Sequence, residues 1–333
     1  MKASGLTRCP RLLLIAASVC ISFLATRAAD QATARLINIA TRAQVGGAAG
    51  TPIPGFVLAG AGTSFYQAAG DDDTIPALDA PGRIAVPPIA GQLSLARLRR
   101  QGRVLRENAE ARLLDLGDGV LGLEFCGKMN TLGPGVLEMV AKSIDRVASG
   151  NYAGLVLGND DPRTFSAGAN LGAAAGAAAA GDWKAIEASV KAFQDAVTSV
   201  RRAPFPVVSA PFGLCLGGGV EFSLHCDRIQ AHAELYLGLV EVGVGIIPSG
   251  CGTKELLFRF VGALQPYEEA DNFEAAKRAF KLIALAATST SAMEARKMGF
   301  LRPVADRISF NRDTLISDAK ARVLDLAPDY VSP

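Results

Sequence analysis

Two glutamates stand in sequence too apolar to hold a charge lightly. Glu241 is the only ionisable residue between Leu237 and Pro248. Glu221 follows Gly217-Gly218-Gly219-Val220 and precedes Phe222. A carboxylate withdrawn from water is costly unless it is paired or put to work. Two such groups facing one substrate suit a reaction in which one accepts a proton while the other supplies one. Taken singly, each glutamate also has a capping or structural reading.

Two glycine-bearing loops give the carboxylates something to work against. One reads Phe165-Ser166-Ala167-Gly168-Ala169-Asn170-Leu171, the other Gly213-Leu214-Cys215-Leu216-Gly217-Gly218-Gly219-Val220-Glu221. Each follows an apolar strand by a few residues, where open α/β sheets place ligands. Consecutive glycines let a backbone approach a ligand without Cβ interference. A helix starting near Gly218 aims free N–H groups and its dipole at whatever binds there. That environment favours an oxygen that turns negative during reaction. Each loop alone is equally consistent with tight packing.

The elements that must position these groups read as alternating strands and helices. Arg112 to Leu116 and Val120 to Phe125 flank Gly117-Asp118-Gly119, a hairpin signal. The run from Gly117 to Gly122 also matches the G-x-G-x-x-G pattern, but a strand follows it where a dinucleotide loop needs a helix. A helix is expected from Pro134 to about Val147, with Val136, Val140, Ile144 and Val147 at helical spacing. Ala153 to Gly158 reads as a strand. Asp182 caps a second helix running to Val200 and expected to bury Trp183, Ile186, Val190, Phe193 and Val197. Pro206 to Ala210 is another strand, and from Tyr267 the chain reads as mostly helical. This alternation implies βαβ units in an α/β layer fold.

Composition narrows the function classes. The chain has 333 residues, 50% hydrophobic and 20% charged, with net charge +2, which fits a globular protein with a large core. No Lys/Arg stripe beyond the short run Arg97 to Arg103 supports nucleic-acid binding. Six scattered cysteines and two histidines, His225 and His232, give neither a disulfide framework nor a metal site. No Gly-x-Ser-x-Gly elbow occurs, so serine hydrolysis has no support. Residues 1–29 combine Lys2, Arg8 and Arg11 with an apolar run from Leu12 to Leu24 and small residues to Ala29. That is signal-like, with a spurious extension as the other reading. Residues 30–109, rich in glycine, alanine and proline, read as a partly disordered linker, and 110–333 as the folded domain.

The blocks Phe165 to Ala169, Gly217 to Asp227, and Glu241 through Pro248 to Thr253, together with Thr290 to Leu301, resemble the enoyl-CoA hydratase/isomerase (crotonase) family. The likeness runs from about Arg112 to Leu326. Phe125 to Leu132, Ala169-Asn170 and Asn311-Arg312-Asp313 are more narrowly similar to the hydratase half of bacterial two-part 3-hydroxyacyl-CoA dehydrogenases. Gly62 to Tyr66 and Arg103 to Asn108 resemble the connecting segment of those enzymes, and the dehydrogenase half has no counterpart. The resemblance implies an α/β crotonase-like ββα spiral with a helical C-terminal region. It implies that the N–H groups of Ala169 and Gly218 hold a thioester oxygen, that Glu221 activates water, and that Glu241 protonates the α carbon. Lys128, Asn130, Leu132, Phe165, Ala167 and Gly217 are then expected near the substrate. Coenzyme A enters as part of an acyl-CoA substrate, with no separate cofactor and no metal. The expected reaction is hydration of a 2-enoyl-CoA in fatty acid β-oxidation. Double-bond isomerisation and a non-catalytic acyl-CoA-binding remnant are the alternatives. A homo-oligomer and a separate dehydrogenase partner stay open. The chemistry places the protein in the cytoplasm, whereas segment 1–28 points to export. Two departures from the family pattern are Cys251, where glycine is usual, and the alanine run Ala173 to Ala180.

Overall fold

In the computed structural model, residues 74–76, 83–85, 91–264 and 271–333 are described. The signal-like segment 1–29 and the Gly62 to Tyr66 resemblance lie outside them. Two units are distinguished, 1–90 and 91–333. In the first, strands β1 (Thr74–Pro76) and β2 (Arg83–Ala85) pair antiparallel.

The second unit is built on a seven-stranded sheet and a three-stranded sheet. It opens with helix α1 (Leu95–Arg100) and strand β3 (Val104–Glu107). Both fall inside residues 30–109, which the sequence reads as linker. Leu95 is buried, and β3 pairs antiparallel with β4 (Ala111–Asp115). Their few apolar residues are too sparse to show a period. β4 and β5 (Val120–Phe125) form the expected hairpin, turned by Gly117, Asp118 and Gly119, all at positive φ. The G-x-G-x-x-G match is therefore a strand-to-strand turn.

From there the chain winds in ββα units. Helix α2 (Pro134–Ser149) leads to β6 (Gly154–Gly158) in the large sheet and β7 (Thr164–Ser166) in the small one, followed by α3 (Leu171–Ala179) and α4 (Trp183–Arg201). Next come β8 (Val207–Ser209), β9 (Gly213–Leu216) and α5 (Gly218–His225). The third unit is β10 (Arg228–His232), β11 (Leu235–Gly238), a 3-10 turn (Glu241–Val244) and α6 (Gly252–Leu264). Each unit places one strand in each sheet, giving the orders β10-β8-β6-β5-β4-β3 and β11-β9-β7, and β5, β6, β8 and β10 run parallel. Parallel strands covered on both faces need unbroken apolar sequence, and every residue of β5, β6 and β8 is buried. This is the α/β ββα architecture with a helical C-terminal region: α7 (Asn272–Ala284), α8 (Ala292–Met298) and α9 (Leu315–Leu326).

Two expectations fail. Trp183 is 67% exposed, and only Phe193, Ala196, Val197 and Val200 of α4 are buried. Asp182 does cap the helix, accepting from the Ala185 N–H at 3.0 Å. The first half of α4 packs beside α3, whose alanines are too small to cover it, and α3 itself buries no residue. The second failure is strand β12 (Arg307–Ser309), which extends the sheet edge beside β10 inside a region read as helical. Three residues are too few to show a strand period.

Candidate active site

The glycine turn is forced by its surroundings. Gly217 precedes α5 with φ of 52°, a conformation that penalises any side chain. It is buried, and a Cβ there would lie 3.2 Å from Glu241 Oε1. Gly168 in the neighbouring loop also has positive φ, and its Cβ position lies 3.1 Å from the Gly218 nitrogen. The Cβ position of Gly218 lies 3.4 Å from the Ala169 nitrogen. The two N–H groups named from sequence thus come from abutting turns at the ends of β7 and β9. The first N–H groups of a helix have no intrahelical acceptor, so Gly218 is free to bind an outside oxygen.

Glu221 lies in the first turn of α5 and is 3% exposed. Its Oε1 accepts the Gly252 N–H at 2.9 Å, so the carboxylate also caps the start of α6. Burial lifts its carboxyl to about 7; the Gly252 N–H opposes that rise, and the nearby Glu241 charge adds to it. Glu241 opens the 3-10 turn on the other side of Gly217. Its Oε2 is buried with no hydrogen-bond partner among the described residues. Burial raises its carboxyl as well. Glu241 thus abuts Gly217, and Glu221 follows on the helix that Gly218 opens, with an unmet acceptor on Glu241.

The remaining predicted residues divide. Lys128 is exposed, in a turn where Met129 and Asn130 take positive φ. The Asn130 side chain is buried, and its Nδ2 donates to the Thr164 carbonyl at 2.7 Å. The Ser166 hydroxyl donates back to the Asn130 carbonyl at 2.8 Å, and the Ala167 N–H to the Met129 carbonyl at 3.1 Å. Asn130 is therefore a structural tie between the loops. Phe165 is fully buried, its ring edge-on to Phe125 and Phe212, so its side chain belongs to the core. Leu132 donates its N–H to the Gly168 carbonyl at 2.9 Å and packs beside Gly218. Leu132, Ala167 and Gly217 stay with the two N–H groups; Lys128 is set at the rim.

What anchors Glu221 has no local signal in the sequence. Gly250 and Gly252 bracket its carboxylate, and a Cβ on Gly250 would meet Glu221 Oε2 at 2.4 Å and Phe193 at 2.3 Å. Between them Cys251 has φ of 70°, the left-handed region where glycine is the relaxed choice. The departure read in sequence is thus a strained backbone position beside the site. Among the described residues no group of three His, Cys, Asp or Glu is placed to hold a metal ion, and no helix is long and apolar enough to cross a membrane.

Comparison with known proteins follows the same lines. Residues 119–320 match the enoyl-CoA hydratase/isomerase family. A probable 3-hydroxyacyl-CoA dehydrogenase of Bacillus subtilis is 40% identical over 229 residues, 69% of this chain and 28% of that protein. A mitochondrial methylglutaconyl-CoA hydratase of Mus musculus is 31% identical over 138 residues, 41% of this chain and 43% of that protein. The chain thus spans less than half the length of these curated relatives. Among solved structures, an enoyl-CoA hydratase from Bacillus anthracis superposes with a TM-score of 0.51 at 25% identity, covering 65% of this chain and 74% of that one. One from Polaromonas sp. JS666 gives 0.54 at 19% identity, covering 65% and 76%; at that identity the likeness speaks for the fold.

Proposed function

From the premise that this chain belongs to the enoyl-CoA hydratase/isomerase family, we propose that it adds water across the double bond of a 2-enoyl-CoA to give a 3-hydroxyacyl-CoA. The carrying observation is the carboxylate pair, buried Glu221 on the helix that Gly218 opens and half-buried Glu241 against Gly217. Family membership supports a hydratase-type reaction in general; the particular roles below are our reading.

The thioester oxygen sits between the Ala169 and Gly218 N–H groups, which stabilise it as it gains enolate character. Glu221 takes a proton from the water that attacks the β carbon. Glu241 gives its proton to the α carbon. Water supplies both the hydroxyl and the net proton, so the pair begins and ends each turnover with one proton. Two neighbouring carboxylates suit that state, because a second ionisation beside the first is disfavoured. In the free protein the deeper burial of Glu221 draws the shared proton toward it. It must pass to Glu241 when substrate and water arrive.

The coenzyme A arm runs along the side marked by exposed Lys128 and half-buried Ala167. The product is a substrate for a 3-hydroxyacyl-CoA dehydrogenase, acting as a separate partner in fatty acid β-oxidation. This chemistry belongs in the cytoplasm.

A hydration assay with crotonyl-CoA tests the reading. Turnover is expected, with losses of about 10²- to 10⁴-fold in Glu221→Gln and in Glu241→Gln, the range for removing a general acid or base. No turnover, or wild-type rates in both variants, contradicts it. Calorimetric binding of crotonyl-CoA without turnover would instead favour the acyl-CoA-binding remnant.

A further inference from the structure

Behind Glu221, away from the two N–H groups, lies a second set of buried polar groups that the proposed reaction does not use. His225 is one helical turn after Glu221, and its side chain is completely buried. Its Nδ1 lies 2.7 Å from the Glu221 main-chain carbonyl oxygen. A carbonyl can only accept, so Nδ1 carries the proton in that bond. Nε2 has no hydrogen-bond partner among the described residues and faces Glu255 Oε1 at 3.5 Å. Burial holds the imidazole's affinity for a second proton down, to about 4.

Glu255 is itself fixed. It is 4% exposed, it is paired with Arg201 of α4, and Lys254 Nζ lies 3.1 Å from its Oε1. Its N–H donates to the Cys251 carbonyl at 3.0 Å. It belongs to the first turn of α6, the helix whose opening N–H, from Gly252, holds the Glu221 carboxylate. Arg201 and Arg259 also donate to the Leu224 carbonyl, at 2.8 and 3.1 Å, and lock the end of α5.

Two ties hold Glu221. The Gly252 N–H at the start of α6 holds its carboxylate, and the His225 Nδ1–H holds its main-chain carbonyl. We infer that His225 is a positioning residue for Glu221, holding its main chain in a fixed relation to the carboxylate that Gly252 holds. An imidazole buried only for volume would be replaceable by an apolar side chain. The tie to the Glu221 carbonyl needs a donor at the Nδ1 position and nothing else on the ring.

The inference takes its catalytic meaning from the hydration reading, but its test does not depend on turnover. Asparagine at position 225 places an amide N–H where Nδ1 stands; glutamine places one where Nε2 stands. The midpoint of Glu221 is followed by carboxyl ¹³C NMR in wild type, His225→Asn and His225→Gln, with Glu221→Gln identifying the signal. Asn is expected to keep the wild-type midpoint, and Gln to move it by about 0.5 pH or more, a change equivalent to losing part of one hydrogen bond's worth of fixation. If Gln does not fold, His225→Leu, which buries no polar atom, takes its place with the same expectation. Equal midpoints in Asn and Gln or Leu overturn the inference. With crotonyl-CoA, Asn should retain kcat within about threefold, while Gln or Leu loses about tenfold or more in kcat with KM little changed. If wild type does not turn over, the hydration reading fails, and the NMR midpoints still decide whether His225 positions Glu221.

Discussion

Glu221 and Asp306 are both almost fully buried carboxylates, yet the fold treats them oppositely. Burial would raise both. Around Asp306 that rise is outweighed: Arg302 donates through its guanidinium at 2.9 and 3.1 Å and through its N–H at 2.7 Å. The Ile229 N–H adds a bond at 2.9 Å, and Arg259 lies at 3.4 Å. The Asp306 carboxyl is held below its ordinary range. Glu221 receives main-chain N–H groups and the neighbourhood of Glu241, and its carboxyl rises to about 7. One acid is built to stay charged and bind the C-terminal region to β10. The other has no cation acting on it among the described residues, and its carboxyl titrates near neutrality.

The comparison can be broken from either side. The largest effect is expected at Asp306. Replacing it by alanine leaves Arg259 and Arg302 without their carboxylate and should cost about 3–5 kcal/mol in chemical denaturation. A loss well under that would show that the ion cluster is not what holds this end of the sheet.

The second effect has the opposite sign. A carboxyl raised by folding favours the folded state most when protonated. Its contribution is fully present below the ordinary value of about 4.5 and lost as pH rises through about 7. Glu221→Gln, neutral at every pH, should therefore stabilise the protein by about 1–2 kcal/mol at pH 8, and by only about a quarter as much at pH 5. Equal stability differences at the two pH values would mean that Glu221 is not raised.

The smallest effect concerns the strained neighbour. Cys251→Gly relieves the positive φ at the start of α6 but adds chain entropy. A net gain of about 0.5–1 kcal/mol in thermal unfolding is expected. A loss would mean that the thiol contributes packing that outweighs the strain.

What sequence shows of this contrast depends on distance along the chain. The Gly217–Gly219 turn and Glu221 were legible because the glycines, the helix start and the acid are contiguous. The β4–β5 hairpin and the cap at Asp182 are local in the same way. Glu221's anchor at Gly252 is 31 residues away, and no local pattern links the two. Asn130 and Phe165 belong to the right loops, but only tertiary packing turns their side chains inward. Trp183 shows the converse: an amphipathic period names a face, while burial also needs a neighbour large enough to cover it. β12 was missed because a three-residue edge strand has no period to read.

The central claim is that an uncompensated carboxylate pair, sharing one proton, performs the hydration. The pH dependence of kcat/KM for crotonyl-CoA tests it most directly, because that parameter reports the ionisation of the free enzyme. A bell is predicted, with its alkaline limb centred near 7 as the pair's last proton leaves, and with no such limb in the residual activity of Glu221→Gln. A rate that is level or rising from pH 7 to about 9, or the same limb in Glu221→Gln, would contradict it.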